Sequence, residues 1–230
     1  MENISIDNTV MVCKDFNDED TSCNLKGWSG IVRMIFEPEN EGEETEVLIE
    51  WDAETLKKMS DDFLISSFDN GQNWTTYYLP TSILEVLNSK TDLVASEWIK
   101  TEIASRLFWP LCGREGKHIN KIFNEYGKDH SIHPMAIWYK FLEENFSYPI
   151  KAKIVFDDSD DNSDTECPIK KGTRLEIIGL SGWDLPMGIY CLTRYKDHEF
   201  IVPLEDIECT GLSKSSQYVN DYGIWIECRA

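Results

Sequence analysis

The sequence lacks several features that would assign a function directly. No apolar run approaches the roughly 20 residues needed to cross a bilayer. The first residues also lack the basic and apolar regions of a secretory signal, so we expect a cytoplasmic protein. Basic residues are few: 22 Lys and Arg stand against 42 Asp and Glu, which gives a formal net charge of −20. We therefore expect no direct binding to nucleic-acid phosphates or to an anionic membrane.

Recognisable catalytic motifs are missing as well. The seven cysteines are scattered and contain no CxxC pair, so they are expected to be reduced thiols rather than a disulfide framework or a zinc site. Neither a GxSxG nor an HExxH motif occurs, and the sequence predicts a protein that is not an enzyme.

Residues 1–90 show the alternation of β-strands. Val47, Ile49 and Trp51 alternate with more polar neighbours, which is typical of a half-buried strand. Asp52 follows directly and is well placed to cap a short helix, "AETLKKM". Further short strands occur in "WTTYYLP" and "ILEV". Short, bent strands with one helical turn predict a small SH3-like barrel in this region.

The period of the apolar residues changes to that of a helix after residue 90. Residues 91–132 are predicted to be a helical connector, and a third helix is expected to start at Pro134, a favoured first position. Strand alternation then returns, and a last helical pattern closes the chain. Residues 133–230 therefore predict a second barrel with flanking helices. The fold class predicted is α+β, mainly β: two small SH3-like β-barrels joined by a helical segment, with a C-terminal helix.

One short match supports two barrels of the same kind. "YLPTSILEV" (residues 78–86) and "IVPLEDIEC" (residues 201–209) both place Pro third, an aliphatic residue seventh and Glu eighth. Proline interrupts strand pairing, so each segment is expected to turn and rejoin its sheet.

The C-terminal half resembles the cyanobacterial calcium-binding protein family. The resemblance is carried by "WYKFLEENFSYPIKAKI", "IKKGTRLEIIGLS", "GIYCLTRY…FIVPLEDIE" and "QYVNDYGIWI". The N-terminal half, through "GWSGIV…VLIEWDAETLKKMS…WTTYYLPTSILEV", is similar to the SH3-like barrel found in longer members. This resemblance implies a Ca²⁺ cofactor and places two acidic residues, Asp206 and Asp221, inside matching motifs. Asp206 could instead cap the turn at Pro203, and Asp221 could simply begin the last helix.

The densest cluster of acidic residues lies in "FDDSDDNSDTE" (residues 156–166). Calcium takes about six to eight oxygen ligands, which flexible carboxylates can supply. The metal-ligand candidates here are Asp157, Asp158, Asp160, Asp161, Asp164 and Glu166. The spacing does not make an EF-hand, because Ser163 and Ile169 stand where that motif needs Gly and Glu. A solvated loop kept open by charge repulsion is the alternative.

Aromatic residues near the predicted loops could line a groove for a peptide. Trp28, Trp74 and Tyr77 are the partner-binding candidates, and Trp74 is expected to be exposed beside "DNGQN". The function predicted is Ca²⁺ binding by a non-enzymatic buffer or sensor. The alternative is an acidic tandem-barrel module, or a nucleic-acid mimic, that binds an unknown and possibly basic protein without a specific metal.

Overall fold

A computed structural model of the chain describes residues 4–18, 21, 23–38, 40, 42, 44–88, 91–156, 169–185 and 187–228. The chain forms two compact units, the first extending through Leu107 and the second covering Phe108–Cys228. Each unit contains one five-stranded antiparallel sheet together with helices. The predicted α+β class is confirmed.

The sheet of the first unit is built from five short strands: β1 Thr9–Val12, β2 Ser29–Phe36, β3 Glu46–Trp51, β4 Thr76–Pro80 and β5 Leu84–Leu87. Their order across the sheet is β4-β3-β2-β1-β5. The alternation predicted for β3 is confirmed, since Val47, Ile49 and Trp51 are each at most 1% exposed. These side chains form part of the core of this unit.

Three helices accompany the first sheet: α1 Ala53–Lys58, α2 Asp61–Asp69 and α3 Leu93–Leu107. The predicted cap of α1 is confirmed, because the Asp52 carboxylate accepts a hydrogen bond from the Thr55 backbone N–H at 2.9 Å. Helix α2 was not predicted. Its start is capped by the Ser60 hydroxyl, which accepts from the Phe63 N–H at 3.2 Å, and it buries Phe63 and Leu64.

The sheet of the second unit repeats the connectivity of the first. Its strands are β6 Ile150–Ile154, β7 Arg174–Asp184, β8 Gly188–Tyr195, β9 His198–Pro203 and β10 Ile207–Cys209. Their order is β10-β6-β7-β8-β9. In both sheets the first strand lies between the second and the fifth, and a 3-10 helix joins the fourth strand to the fifth. These 3-10 helices, Thr81–Ile83 and Leu204–Asp206, fall inside the two matching nine-residue segments.

Three further helices complete the second unit: α4 Gly113–Tyr126, α5 Pro134–Asn145 and α6 Lys214–Glu227. Their inner faces meet in an aromatic core, in which the Trp138 ring lies 5.7 Å from both Tyr222 and Trp225. Pro134 occupies the first turn of α5, as predicted. Among the described residues, no helix combines the length and apolar character that crossing a bilayer requires.

Candidate metal site

The acidic stretch belongs to the connection between β6 and β7. The six candidates Asp157, Asp158, Asp160, Asp161, Asp164 and Glu166 lie outside the described residues. The two ends of this connection are joined by a hydrogen bond from the Gly172 N–H to the Ile154 carbonyl, at 2.8 Å. Gly172 has a φ of 85°, a left-handed conformation that glycine adopts without steric cost. The fold therefore anchors the connection at both ends.

Asp206 lies beside the point where the chain leaves β6. The Val155 N–H donates a hydrogen bond to the Asp206 carbonyl at 2.9 Å, and β10 pairs with β6 immediately beyond. Asp206 is the last residue of the 3-10 helix that the buried Leu204 anchors. The chain continues from Val155 through Phe156 into the acidic sequence. The backbone therefore places Asp206, one of the predicted metal ligands, next to the start of the acidic connection.

Glu205 is a second carboxylate on the same 3-10 helix, and it was not among the predicted ligands. Partial desolvation of the exposed Glu205 side chain, and then the negative charge of Asp206, raise the pKa of Glu205 above its ordinary value. A bound cation would favour the ionised form of both groups. The signal for Glu205 was present in the sequence, since it directly precedes Asp206 in "PLEDIE".

Asp221 occupies a different environment, in the interior of the second unit. Its side chain is 0% exposed, and Oδ2 lies 2.5 Å from His118 Nδ1 on α4. Burial raises the pKa of Asp221, although His118 acts in the opposite direction. The idea that Asp221 begins the last helix is wrong. Helix α6 begins at Lys214, where the Ser213 hydroxyl accepts from the Ser216 N–H at 3.1 Å.

The described residues do not by themselves complete a calcium site. Within these parts of the chain, no three His, Cys, Asp or Glu side chains come together to hold a metal ion. The carboxylates of Glu205 and Asp206 are hard oxygen donors, so their chemistry fits Ca²⁺, which needs about six to eight oxygens in all. They can form part of such a site.

The three partner-binding candidates lie in the first unit. Trp28 is 7% exposed and packs edge-on against Trp51 and Phe63, with ring centroids 5.3 and 5.1 Å away. Trp74 is 1% exposed, so the expectation of an exposed indole is wrong. The adjacent polar sequence "DNGQN" suggested a surface position, but the indole is large and apolar and is buried in the core. Tyr77 is half-buried and donates its hydroxyl hydrogen to Asp18.

A different row of side chains is exposed on the first sheet. Met34 is 49% exposed, Phe36 37% and Tyr78 57%. The rings of Phe36 and Tyr78 lie 5.5 Å apart, and the pairing of β2, β3 and β4 aligns Met34 and Tyr78 across Leu48. The exposure of these three side chains was not predicted, because apolar residues in a predicted strand are normally assigned to the core.

The segment that contains α5, α6 and the second sheet matches a known family model. Residues 122–226 match the model of the calcium-binding CcbP family. The resemblance predicted for the C-terminal half is confirmed over this stretch. It includes Glu205, Asp206 and Asp221, together with the acidic connection between β6 and β7.

Two solved structures are similar to about half of the chain. The crystal structure of Anabaena CcbP is 15% identical and covers 48% of this chain and 90% of its own, with a TM-score of 0.39. A calcium-binding protein in its calcium-binding form is 16% identical and covers 49% of this chain and 91% of its own, with a TM-score of 0.37. No curated protein matches the chain significantly.

Proposed function

We propose that this protein binds Ca²⁺ reversibly through carboxylates of its second unit and has no enzymatic role. The observation that carries the proposal is the match of residues 122–226 to a calcium-binding family. The net charge of −20 supports it, because an acidic surface attracts divalent cations. We place the site where Glu205 and Asp206 lie beside the start of the acidic connection.

The geometry of the 3-10 helix supports this location over the interior of the unit. Asp206 is only half-buried and Glu205 is exposed, so a hydrated cation can reach both carboxylates. Asp221 is completely buried and is already engaged by His118. A cation there would have to lose its water without gaining several oxygen ligands in return. Asp221 is therefore better suited to supporting the fold than to binding the metal.

A calcium buffer only binds the ion, whereas in a calcium sensor the bound ion changes how the protein binds another molecule. As a sensor, the protein would engage a protein partner that carries basic side chains, to which the acidic surface is complementary. The exposed row of Met34, Phe36 and Tyr78 supports an apolar contribution to that contact. We propose that this partner is a protein rather than a nucleic acid or a membrane.

Calorimetric titration with CaCl₂ in metal-free buffer tests the calcium proposal. We expect saturable binding with a dissociation constant of about 10⁻⁶ to 10⁻³ M, the range that proteins reach with flexible oxygen sites. The double substitution Glu205→Gln with Asp206→Asn is expected to weaken binding by about tenfold, because it removes two negative charges while keeping the side-chain size.

The matched control is Asp197→Asn, which removes an exposed carboxylate from the turn between β8 and β9. Its affinity for calcium is expected to remain within about twofold of the parent protein. A separate variant, with Asn at positions 157, 158 and 160, measures the contribution of the acidic stretch. The proposal is wrong if the unaltered protein shows neither heat nor a shift in melting temperature up to about 10 mM calcium.

A further inference from the structure

A concave surface of about 620 Å³ crosses the second sheet. It is lined from four neighbouring strands or their ends: Thr210 after β10, Lys151 on β6, Glu176 on β7 and Arg194 on β8. Lys151 pairs with Glu176, and Glu176 pairs with Arg194, so these three side chains leave the same face of the sheet. We call this surface the basic pocket.

The charge of the basic pocket is opposite to that of the protein. Lys151, Arg174, Arg194 and Lys196 contribute four positive charges and Glu176 contributes one negative charge, so the lining carries +4 − 1 = +3. The whole chain carries −20. Concentrating cations in one concavity of a strongly acidic protein creates a local field that attracts anions.

Several of these cations remain available to a ligand. Lys151 and Arg174 are exposed, and their side chains make no hydrogen bond or ion pair with any residue that the structure describes. Arg194 is bonded to Glu199 at 3.1 Å, but both side chains are about half exposed and such pairs contribute little. Lys196 lies over the Tyr195 ring, with its Nζ 4.9 Å from the centroid.

We propose that the basic pocket binds the polyphosphate group of a small molecule. The planar guanidinium groups of Arg174 and Arg194 suit the paired oxygens of phosphate. A single phosphate would leave most of the 620 Å³ empty, whereas this volume lies in the range of sites for small organic ligands. An excess of positive charge spread over several side chains suits a chain of two or three phosphates better than one phosphate.

The same charges exclude other ligands from this pocket. A calcium ion would be repelled by the four cations, so the basic pocket is separate in its chemistry from the proposed calcium site. A long nucleic acid would extend beyond the pocket and meet the acidic surface of the rest of the protein. The inference does not rest on the calcium proposal, and either can fail alone.

Titration with ATP, tripolyphosphate and inorganic phosphate, in buffer stripped of divalent metals and at low ionic strength, tests the inference. We expect ATP and tripolyphosphate to bind at least about tenfold more tightly than inorganic phosphate, because only they span several cations. Equal affinities for the first two mean that the phosphates alone are recognised. Tighter binding of ATP means that the nucleoside is also contacted, as a larger ligand of the same class.

The double substitution Lys151→Ala with Arg174→Ala is expected to weaken tripolyphosphate binding by at least about tenfold. The control is Lys117→Ala with Lys140→Ala, which removes the same charge from exposed positions on α4 and α5 outside the pocket. Its binding should change by less than about twofold, and circular dichroism establishes that both variants are folded. The inference is overturned if neither polyphosphate binds at about 5 mM, if inorganic phosphate binds as tightly as tripolyphosphate, or if both variants lose binding equally.

Discussion

The pairing of Asp221 with His118 illustrates what a single buried carboxylate does in this protein. Asp221 Oδ1 has no hydrogen-bond partner among the described residues, while Oδ2 engages His118 Nδ1. His118 in turn stacks on Tyr218, with ring centroids 5.5 Å apart. The contact therefore links α4 to α6 through one polar group in an aromatic environment. Replacing either side chain would leave the other without this hydrogen bond inside the unit.

We expect Asp221→Ala to reduce the free energy of unfolding by about 2 kcal/mol without changing calcium affinity. The cost arises because the substitution removes the hydrogen-bond partner of His118 and leaves a small void. Denaturant unfolding and calorimetric titration of the same variant measure the two effects. Asp197→Ala, at an exposed position, should change neither. A large loss of calcium affinity with unchanged stability would instead identify Asp221 as a metal ligand.

At the scale of single residues, the sequence predicts the chemical role of a side chain better than it predicts whether that side chain is exposed. The cap at Asp52 could be predicted because a helix start depends on its nearest neighbours in the chain. The burial of Trp74 and the partner of Asp221 could not, because His118 is 103 residues away from Asp221 in the sequence. Such contacts depend on how the elements pack, which a single sequence does not reveal.

At the scale of elements, helix α3 is joined to the first sheet by buried charged groups. Lys100 is 4% exposed, and its ammonium group bonds to Glu50 on β3 and, at 2.8 Å, to Glu97 on α3. Arg33 on β2 bonds to the same Glu50 carboxylate at 2.6 Å. The helical period predicted α3, but it did not predict that its inner face contains Glu97 and Lys100.

This cluster makes the first unit sensitive to acid. Burial alone would raise the pKa of Glu50, but Lys100 and Arg33 together outweigh it, and the pKa is lowered. A carboxyl group with a lowered pKa stabilises the fold above its ordinary pKa, and this contribution is lost as the pH falls through the lowered value. Burial also lowers the pKa of Lys100, so its charge depends on retaining Glu50.

We expect Glu50→Gln to cost the first unit about 3 kcal/mol at pH 7, because it leaves Lys100 buried with one fewer carboxylate. The difference from the parent protein should shrink as the pH falls below the ordinary pKa of a glutamate, about 4.3, and through the lowered pKa of Glu50. Hydrogen exchange of the β3 and α3 amides measures this unit separately. Glu54→Gln, which removes an exposed pair with Lys57, is the control and should leave exchange unchanged. A difference independent of pH would contradict the assigned role of the Glu50 charge.

At the scale of the whole molecule, charge repulsion opposes folding. The net charge of −20 is spread over a chain in which most ion pairs between described residues are exposed, for example Lys26 with Asp15 and Arg194 with Glu199. Exposed pairs stabilise little, so screening the repulsion is expected to outweigh screening the pairs. Monovalent salt should therefore stabilise this protein.

We expect the melting temperature to rise as NaCl is increased from about 10 to about 150 mM. At equal ionic strength CaCl₂ should raise it further than MgCl₂ or NaCl, because a specific site adds to general screening. Differential scanning calorimetry in the three salts makes the comparison. A melting temperature that falls with NaCl would mean that the ion pairs dominate. Equal effects of calcium and magnesium would remove the evidence for a selective site.

The repetition of one kind of unit could be predicted from the sequence, although the order of the strands could not. The segments at residues 78–86 and 201–209 match in sequence and both fold as strand, 3-10 helix and strand. The family resemblance located the second sheet and its flanking helices. Helix α2 was missed because its cap, Ser60, and its first residues, Asp61 and Asp62, are residue types that are also common in loops.

The position of the first strand in each sheet has a consequence for how the chain folds. Thr9 pairs with Leu87, and Ile154 pairs with Ile207. In each sheet, the strand that is synthesised first therefore gains this partner only after the fifth strand has been synthesised. Contacts so far apart in sequence are slow to form, since a long loop must close before they are gained. During synthesis, the first sheet has all its strands once Leu87 has left the ribosome. Its assembly can therefore begin before any strand of the second sheet exists, which reduces the chance that equivalent strands of the two sheets exchange.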